Sequence, residues 1–96
     1  MKETFSYDVR ERLFSKYNYI CANFKNTEKC LINKGLELHH IVHNTIVNRK
    51  LYGNDNVQSE ENGMPLCKYC HDNQAQFAWI QAIEAQNKAK WSSPDP

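Results

Sequence analysis

Four cysteines constrain this 96-residue chain more than any other feature. Cys67 and Cys70 form a Cys-x2-Cys pair, the spacing at which two thiolates on a tight turn bind one zinc ion. Cys21 and Cys30 are the only other cysteines, and their separation is wider than the usual two to four residues. A hairpin over residues 22–29 would bring Cys21 and Cys30 together. Four thiolates with none to spare therefore predict a structural zinc site.

The rest of the composition suggests why the fold would need a structural metal ion. Residues 53–63 contain one apolar side chain and residues 92–96 contain none, so we expect a thin hydrophobic core. Small domains with thin cores commonly depend on a metal or on disulfides. The N-terminus lacks the apolar segment of a secretory signal, and no stretch is long enough to span a membrane. We therefore expect a cytoplasmic, intracellular protein, a setting that favours thiolates over disulfides.

Three other roles for the cysteines stay open on the sequence alone. Cys21 or Cys30 could be a small buried apolar residue that binds nothing. His39 or His43 could join the second cysteine pair in a mixed site. The second pair could also be a redox centre, although the sequence before it lacks the strand–helix–strand pattern that usually accompanies one.

The N-terminal half predicts a helix followed by a strand. Apolar residues at helical spacing indicate a short helix over residues 8–17, with Asp8 as its N-cap. The alternation in residues 36–41 indicates a strand. Adjacent residues on a strand point to opposite faces, so His39 and His40 suit two different tasks unless the strand bends or ends at this pair.

The C-terminal half predicts a long connection followed by a longer helix. Residues 42–63 are rich in Gly, Asn and Ser, which favours a loop with a helical turn or two. Strong helix formers predict a helix from about His71 to Lys90. The whole pattern indicates a single α+β domain over residues 1–91, with residues 92–96 as a disordered tail.

Charge is distributed unevenly along the chain. Residues 1–50 carry nine Lys/Arg and five Asp/Glu, a balance of +4, whereas residues 51–96 carry three and six, a balance of −3. A modest basic surface is compatible with a phosphate-backbone partner, and scattered solvated lysines explain it equally well. The candidate backbone contacts are Arg10, Arg12, Lys16, Tyr17, Tyr19, Lys25, Lys29, Lys34, Arg49 and Lys50.

The histidines are concentrated near the two ends of the long connection. Three of the four lie within residues 39–43, and the fourth, His71, directly follows Cys70. A zinc ion bound by both cysteine pairs would hold these segments together. We therefore expect His39, His40 and His71 to converge.

Three short segments carry a resemblance to a known family: LELHHI at 36–41, ENGMPLC at 61–67 and CKYCH at 67–71. Framed by Cys21 and Cys30, they resemble the HNH endonucleases, and the resemblance covers about residues 8–75. It implies a small ββα-metal domain with a zinc-stapled core, a short N-terminal helix and a longer C-terminal helix. The chain departs from the family in the wide Cys21–Cys30 spacing and in Gly63, where an apolar residue is common.

The resemblance implies a metal-dependent DNA endonuclease. His39 and His71 would bind a catalytic divalent ion, either Mg²⁺ or Mn²⁺, or Ni²⁺, Co²⁺ or Zn²⁺. His40 would be the general base, because a neutral imidazole can take a proton from water at neutral pH. Asn62 would orient that base and hold the connection against the strand. Hydrolysis would leave a 5′-phosphate and a 3′-hydroxyl, and the protein would nick as a monomer or cut both strands as a homodimer.

Two other functions remain compatible with the cysteines. A non-catalytic zinc-ribbon module that binds nucleic acid or protein would also hold zinc, but it has no reason to combine His39, His40 and His71. In a purely structural domain, these histidines would satisfy local hydrogen bonds. Asn62 also fits an ordinary turn residue, and we expect His43 at the surface or as a distant phosphate contact.

Overall fold

Short helices and two small antiparallel sheets alternate along the chain. The structure is a computed structural model that describes residues 4–25 and 28–92, apart from the side chains of residues 24, 25, 28 and 29. These residues form five α-helices and two two-stranded sheets, which confirms the α+β class. Of the predicted tail, only Ser92 lies within the described residues.

Helix α1 runs over Tyr7–Lys16, close to the predicted helix. Its N-cap is Ser6 rather than Asp8, and the Ser6 hydroxyl accepts a hydrogen bond from the Val9 backbone N–H at 3.3 Å. Asp8 lies in the first turn, where a carboxylate is favoured by the helix dipole. Leu13 is fully buried and fixes the face of the helix that packs inward.

A small hairpin separates the first two cysteines and allows their wide spacing to close. Strand β1 (Phe24–Lys25) pairs antiparallel with β2 (Glu28–Lys29), and residues 26 and 27 at its tip lie outside the described residues. The Cys30 backbone N–H donates to the Asn23 carbonyl at 2.9 Å. This bond closes the hairpin at its open end.

The second sheet carries both histidines of the adjacent pair. Strand β3 (Glu37–His40) pairs antiparallel with β4 (Gly63–Leu66), so that His39 lies opposite Met64 and His40 lies opposite Gly63. All four residues of β4 are buried. Helix α4 (Lys68–Asp72) begins directly after β4 and carries His71.

The connection between β3 and β4 is more helical than predicted. It contains α2 (Ile46–Tyr52), α3 (Asn54–Val57) and a 3₁₀ turn (Glu60–Asn62), so the expectation of a mostly irregular loop is wrong. The Thr45 hydroxyl caps α2 by accepting from the Asn48 backbone N–H at 3.1 Å. Gly53 has a φ of 95° and separates the two helices instead of opening a loop.

The predicted single helix from His71 to Lys90 is wrong. Helix α4 ends at Asp72, a 3₁₀ turn covers Gln74–Gln76, and α5 runs over Ala78–Trp91. The side chain of Asn73 donates to the Tyr69 carbonyl at 2.8 Å and thereby satisfies a carbonyl at the end of α4. Local capping thus ends a segment whose residues favour a helix throughout.

The core lies between the cysteine segments, β4 and the start of α5. One cluster of buried residues consists of Cys21, Ala22, Cys30, Ile41, Met64, Leu66, Cys67, Cys70 and Ile80, and Phe5, Leu13, Val42 and Val57 are also buried. Four of the nine residues in the cluster are cysteines, so sulfur side chains form much of this part of the interior. Across residues 4–25 and 28–92, the helices are too short or too polar to cross a membrane.

Candidate metal centres and active site

The sulfur atoms of all four cysteines lie within 4.8 Å of one another, and all four residues are buried. A zinc–sulfur bond of about 2.3 Å places tetrahedral sulfurs about 3.8 Å apart, so this cluster fits one zinc ion. Within the described part of the chain, no other three histidine, cysteine or acidic side chains lie as close together. Neither a mixed cysteine–histidine site nor an isolated buried Cys21 or Cys30 agrees with this arrangement.

Backbone hydrogen bonds explain how the wide first pair closes. The Cys21 N–H donates to the Ile32 carbonyl at 2.9 Å, which brings the chain after the hairpin back beside the first cysteine. The Ala22 N–H donates to the Pro65 carbonyl at 2.8 Å and ties this segment to β4. Cys67 follows β4 and is the N-cap of α4, and Cys70 lies within α4. The second pair therefore lies at the start of this helix.

Without a metal ion, burial opposes the ionisation of two of the four thiols. Burial is the main cause that raises the pKa of Cys21 to about 12, and burial also raises the pKa of Cys70. Buried thiols of this kind ionise readily only when a positive charge lies among them. The Asn23 side chain is fully buried and donates to Cys70 Sγ at 3.4 Å, a contact that stabilises a thiolate.

A pair of histidines forms a second candidate centre. The rings of His39 and His71 meet edge to face, with centroids 5.2 Å apart. His39 is buried, and its Nε2 has no hydrogen-bond partner among the residues that the structure describes. Burial, followed by the neighbouring imidazoles, lowers the pKa of His39 to about 3, so the ring is neutral at physiological pH. A neutral, unpartnered imidazole nitrogen is suited to binding a metal ion.

Glu37 fixes the orientation of His71. Its Oε1 lies 2.6 Å from His71 Nδ1, so the carboxylate accepts the Nδ1–H and leaves Nε2 with the free lone pair. Histidines that bind metals commonly use their second nitrogen in this way. Glu37 and His39 lie two residues apart on β3, so they share one face of the strand.

His40 is held by two contacts of a different kind. Its ring stacks on Phe5, with centroids 3.9 Å apart and an interplanar angle of 6°. Its Nε2 lies 2.9 Å from Gln58 Oε1. Burial is the main cause that lowers the pKa of His40, which keeps this imidazole neutral and able to accept a proton at neutral pH.

One shallow pocket of about 230 Å³ contains both members of the adjacent pair. Both residues line this pocket although they are neighbours on β3, whose last residue is His40. His43 is exposed and lies on the rim, with its ring centroid 5.9 Å from that of His39. The lining residues are Leu38, His39, His40, His43, Asn44, His71 and Gln74.

Gln74 adds an unpaired oxygen to this pocket. Its Oε1 is buried and has no hydrogen-bond partner within the described ranges, as is true of His39 Nε2. Two buried polar atoms without partners in these ranges thus belong to residues that line one pocket.

Asn62 is fully buried and holds the connection together. Its Oδ1 accepts from the Val42 N–H at 2.7 Å, and its Nδ2 donates to the Val42 and Val57 carbonyls at 3.0 and 2.8 Å. The Asn62 carbonyl also accepts from the Ile41 N–H at 2.8 Å. Together these bonds fix the backbone that directly follows His40. The Asn62 side chain bonds to backbone atoms and to the Asn87 side chain, not to the His40 imidazole.

Some of the predicted basic contacts line a groove other than the histidine pocket. Arg12, Lys16 and Tyr19 line a separate groove together with Glu11 and Glu60, and Arg12 pairs with Glu60 at 2.8 Å. Tyr17 is half-buried beside the core. Arg49 lies nearer the histidines, because its Nη1 donates at 2.7 Å to Asn44, which lines the histidine pocket.

Phe5, Asn23, Glu37 and Gln58 are among the site residues that were not identified from the sequence. Strand alternation already placed Glu37 on the same face as His39, which was the only available signal for its role. The other three reach the site from distant positions without any local pattern. Comparisons with family models, with curated proteins and with solved structures find no match for this chain.

Proposed function

We propose that this protein is a metal-dependent DNA endonuclease of the HNH type. The supporting observation is the meeting of His39, His40 and His71 at one pocket beside the buried cysteine cluster. Strands β3 and β4 followed by α4 form a ββα unit that carries all three histidines. A zinc-ribbon module gives no account of this convergence, and local hydrogen bonding in a purely structural domain would leave unexplained the His39 Nε2, which is unpaired within residues 4–25 and 28–92.

The two centres have different tasks in this proposal. Cys21, Cys30, Cys67 and Cys70 bind a structural zinc ion that joins the hairpin to α4. His39 and His71 hold the catalytic divalent ion, with Glu37 keeping the His71 ring in the required orientation. The chemistry that a bound divalent ion supplies is the stabilisation of negative charge on the scissile phosphate and the leaving oxygen.

His40 activates the water in this scheme. Its neutral ring accepts one proton from a water molecule whose oxygen attacks phosphorus in line with the leaving 3′-oxygen. The new oxygen–phosphorus bond forms as the bond from phosphorus to the 3′-oxygen breaks, and the 3′-oxygen takes a proton from solvent. The products are a 5′-phosphate and a 3′-hydroxyl.

A DNA backbone is the substrate that this pocket suits best. The pocket is shallow and lies at the end of a strand, so a phosphate on a large duplex can approach it, whereas a small ligand would be poorly enclosed. Arg49 is a cation close to this pocket, because it donates a hydrogen bond to Asn44, one of the lining residues. A single site of this kind cuts one strand, so we expect nicking by the monomer, and cleavage of both strands would require a dimer.

The experiment is a nicking assay on supercoiled plasmid with zinc-loaded protein. We expect relaxed circles when Mg²⁺ or Mn²⁺ is added and none when it is omitted. His39→Ala and His71→Ala should abolish nicking at ordinary metal concentrations, whereas Gln86→Ala, at an exposed position on α5, should not change it. Lack of nicking with every divalent ion tested, or full activity of both histidine variants, would show that the proposal is wrong. Plasmid binding without nicking would indicate the zinc-ribbon alternative.

A further inference from the structure

A chain of side-chain hydrogen bonds leads from Arg49 to His40. Arg49 Nη1 lies 2.7 Å from Asn44 Oδ1, and Gln58 Nε2 lies 2.9 Å from the same oxygen. Gln58 Oε1 in turn lies 2.9 Å from His40 Nε2. All four residues come from the end of β3 and the connection that follows it, which is the segment that departs most from the predicted loop.

The direction of every bond in this chain follows from Arg49. A guanidinium can only donate, so Asn44 must present its oxygen to Arg49. Gln58 faces that same oxygen and must present its NH₂ group there. Its oxygen therefore faces His40, and the His40 nitrogen opposite it must carry the proton.

The opposite arrangement would be unfavourable. If the Gln58 amide were reversed, its oxygen would lie against Asn44 Oδ1, and two acceptors would face each other without a proton between them. Asn54 Oδ1 also lies 3.4 Å from Gln58 Nε2, a second acceptor that favours the same orientation of the amide. The network thus has one self-consistent arrangement of donors and acceptors.

We propose that Gln58 is a positioning residue that holds neutral His40 in the tautomer protonated at Nε2, and that Arg49 sets this orientation through Asn44. The lone pair then lies on Nδ1, which is the nitrogen that takes the proton from water. The inference rests on the proposed nuclease function for the task of Nδ1, whereas the tautomer itself can be measured without any substrate.

Heteronuclear NMR of the histidine ring nitrogens distinguishes the two tautomers. The sample is zinc-loaded protein without a catalytic ion, at an alkaline pH where the imidazoles are neutral. We expect wild-type His40 to be protonated at Nε2. Gln58→Leu and Arg49→Met should both give a mixture of tautomers, because each removes the group that fixes the orientation. Gln58→Glu should still give the Nε2–H form, because one carboxylate oxygen accepts that proton, although the other loses the bond to Asn44 Oδ1.

Two further measurements separate positioning from folding. Zinc content should stay the same in all variants, and Gln86→Leu, a matched change at an exposed glutamine, should leave the His40 signals unaltered. The nicking rate of Gln58→Leu should fall roughly ten- to a hundredfold, less than the full contribution of a general base, and Gln58→Glu should recover part of it.

The proposal would be overturned by a wild-type His40 protonated at Nδ1, or by an unchanged tautomer in Gln58→Leu. It would also be overturned by a Gln58→Leu variant with mixed tautomers and wild-type nicking. A wild type that shows the Nε2–H tautomer but never nicks DNA would contradict the proposed function and still support the assignment of the hydrogen-bond chain.

Discussion

The ring of Phe5 lies flat against the ring of His40, with centroids 3.9 Å apart. Phe5 comes from the segment before α1 and is buried. His40 lies opposite Gly63 in the sheet, and a Cβ at position 63 would lie 2.8 Å from Phe5 Cζ and 2.5 Å from Leu13 Cδ1. The missing side chain at Gly63 therefore makes room for Phe5, so a residue from the N-terminal segment fills the place beside His40.

Replacement of Phe5 by leucine tests whether this stack positions His40. Leucine keeps the position apolar but removes the flat ring, so we expect the unfolding free energy to fall by about 1 kcal/mol. The nicking rate should fall severalfold because the His40 ring gains freedom. Urea unfolding and plasmid nicking measure the two effects. Tyr7→Leu, an exposed aromatic position two residues away, serves as the control and should change neither. Wild-type nicking by Phe5→Leu would show that the stack has no part in positioning.

Zinc removal tests the dependence of the fold on the cysteine cluster. The purified protein should contain about one zinc per chain, and the metal should contribute directly to folding. Treatment with a strong chelator should abolish cooperative thermal unfolding, and added zinc should restore it. Cys30→Ser should lower zinc affinity strongly although Cys30 lies far from the Cys-x2-Cys pair in sequence. Undiminished zinc affinity of this variant would contradict the four-cysteine site.

The sequence predicted the parts of this site that depend on local patterns. The Cys-x2-Cys pair and the count of four cysteines indicated the cysteine cluster, and alternation placed His39 and His40 on a strand. Gln58 and Phe5 could not be predicted, because they reach His40 from 18 and 35 positions away. The end of α4 at Asp72 was also not predicted. Helix propensities describe single residues and do not include the bond from the Asn73 side chain to the Tyr69 carbonyl at the helix end.

Asn62 is expected to stabilise the fold by holding the segment between β3 and β4 together. Asn62→Ala leaves the Val42 and Val57 backbone groups without their partners, and we expect a loss of about 2–3 kcal/mol in unfolding free energy. Asn33→Ala, at an exposed position, should cost little. Urea unfolding of zinc-loaded protein compares the two variants. A loss below about 0.5 kcal/mol for Asn62→Ala would mean that Asn62 is only a turn residue.

Glu37 is expected to raise the affinity of the proposed catalytic site for its divalent ion by orienting the His71 ring. Glu37→Gln replaces the carboxylate that accepts the Nδ1–H at 2.6 Å with a weaker, neutral acceptor. We expect the affinity for the catalytic divalent ion to fall roughly 10- to 100-fold, with zinc content unchanged. The Mn²⁺ concentration that gives half-maximal nicking measures this affinity. Glu11→Gln on α1 is the matched control at an exposed glutamate. An identical Mn²⁺ requirement in Glu37→Gln and wild type would contradict the role of Glu37.

The most direct measurement of the central claim is the nicking rate of His40→Ala on supercoiled plasmid, with saturating Mg²⁺ or Mn²⁺ and confirmed zinc content. His40 is assigned as the general base, so its removal should slow nicking by roughly 10²–10⁴-fold while zinc and the second ion remain bound. The cut ends made by the wild type should carry a 5′-phosphate and a 3′-hydroxyl. Full nicking by His40→Ala, with the zinc site intact, would contradict the account.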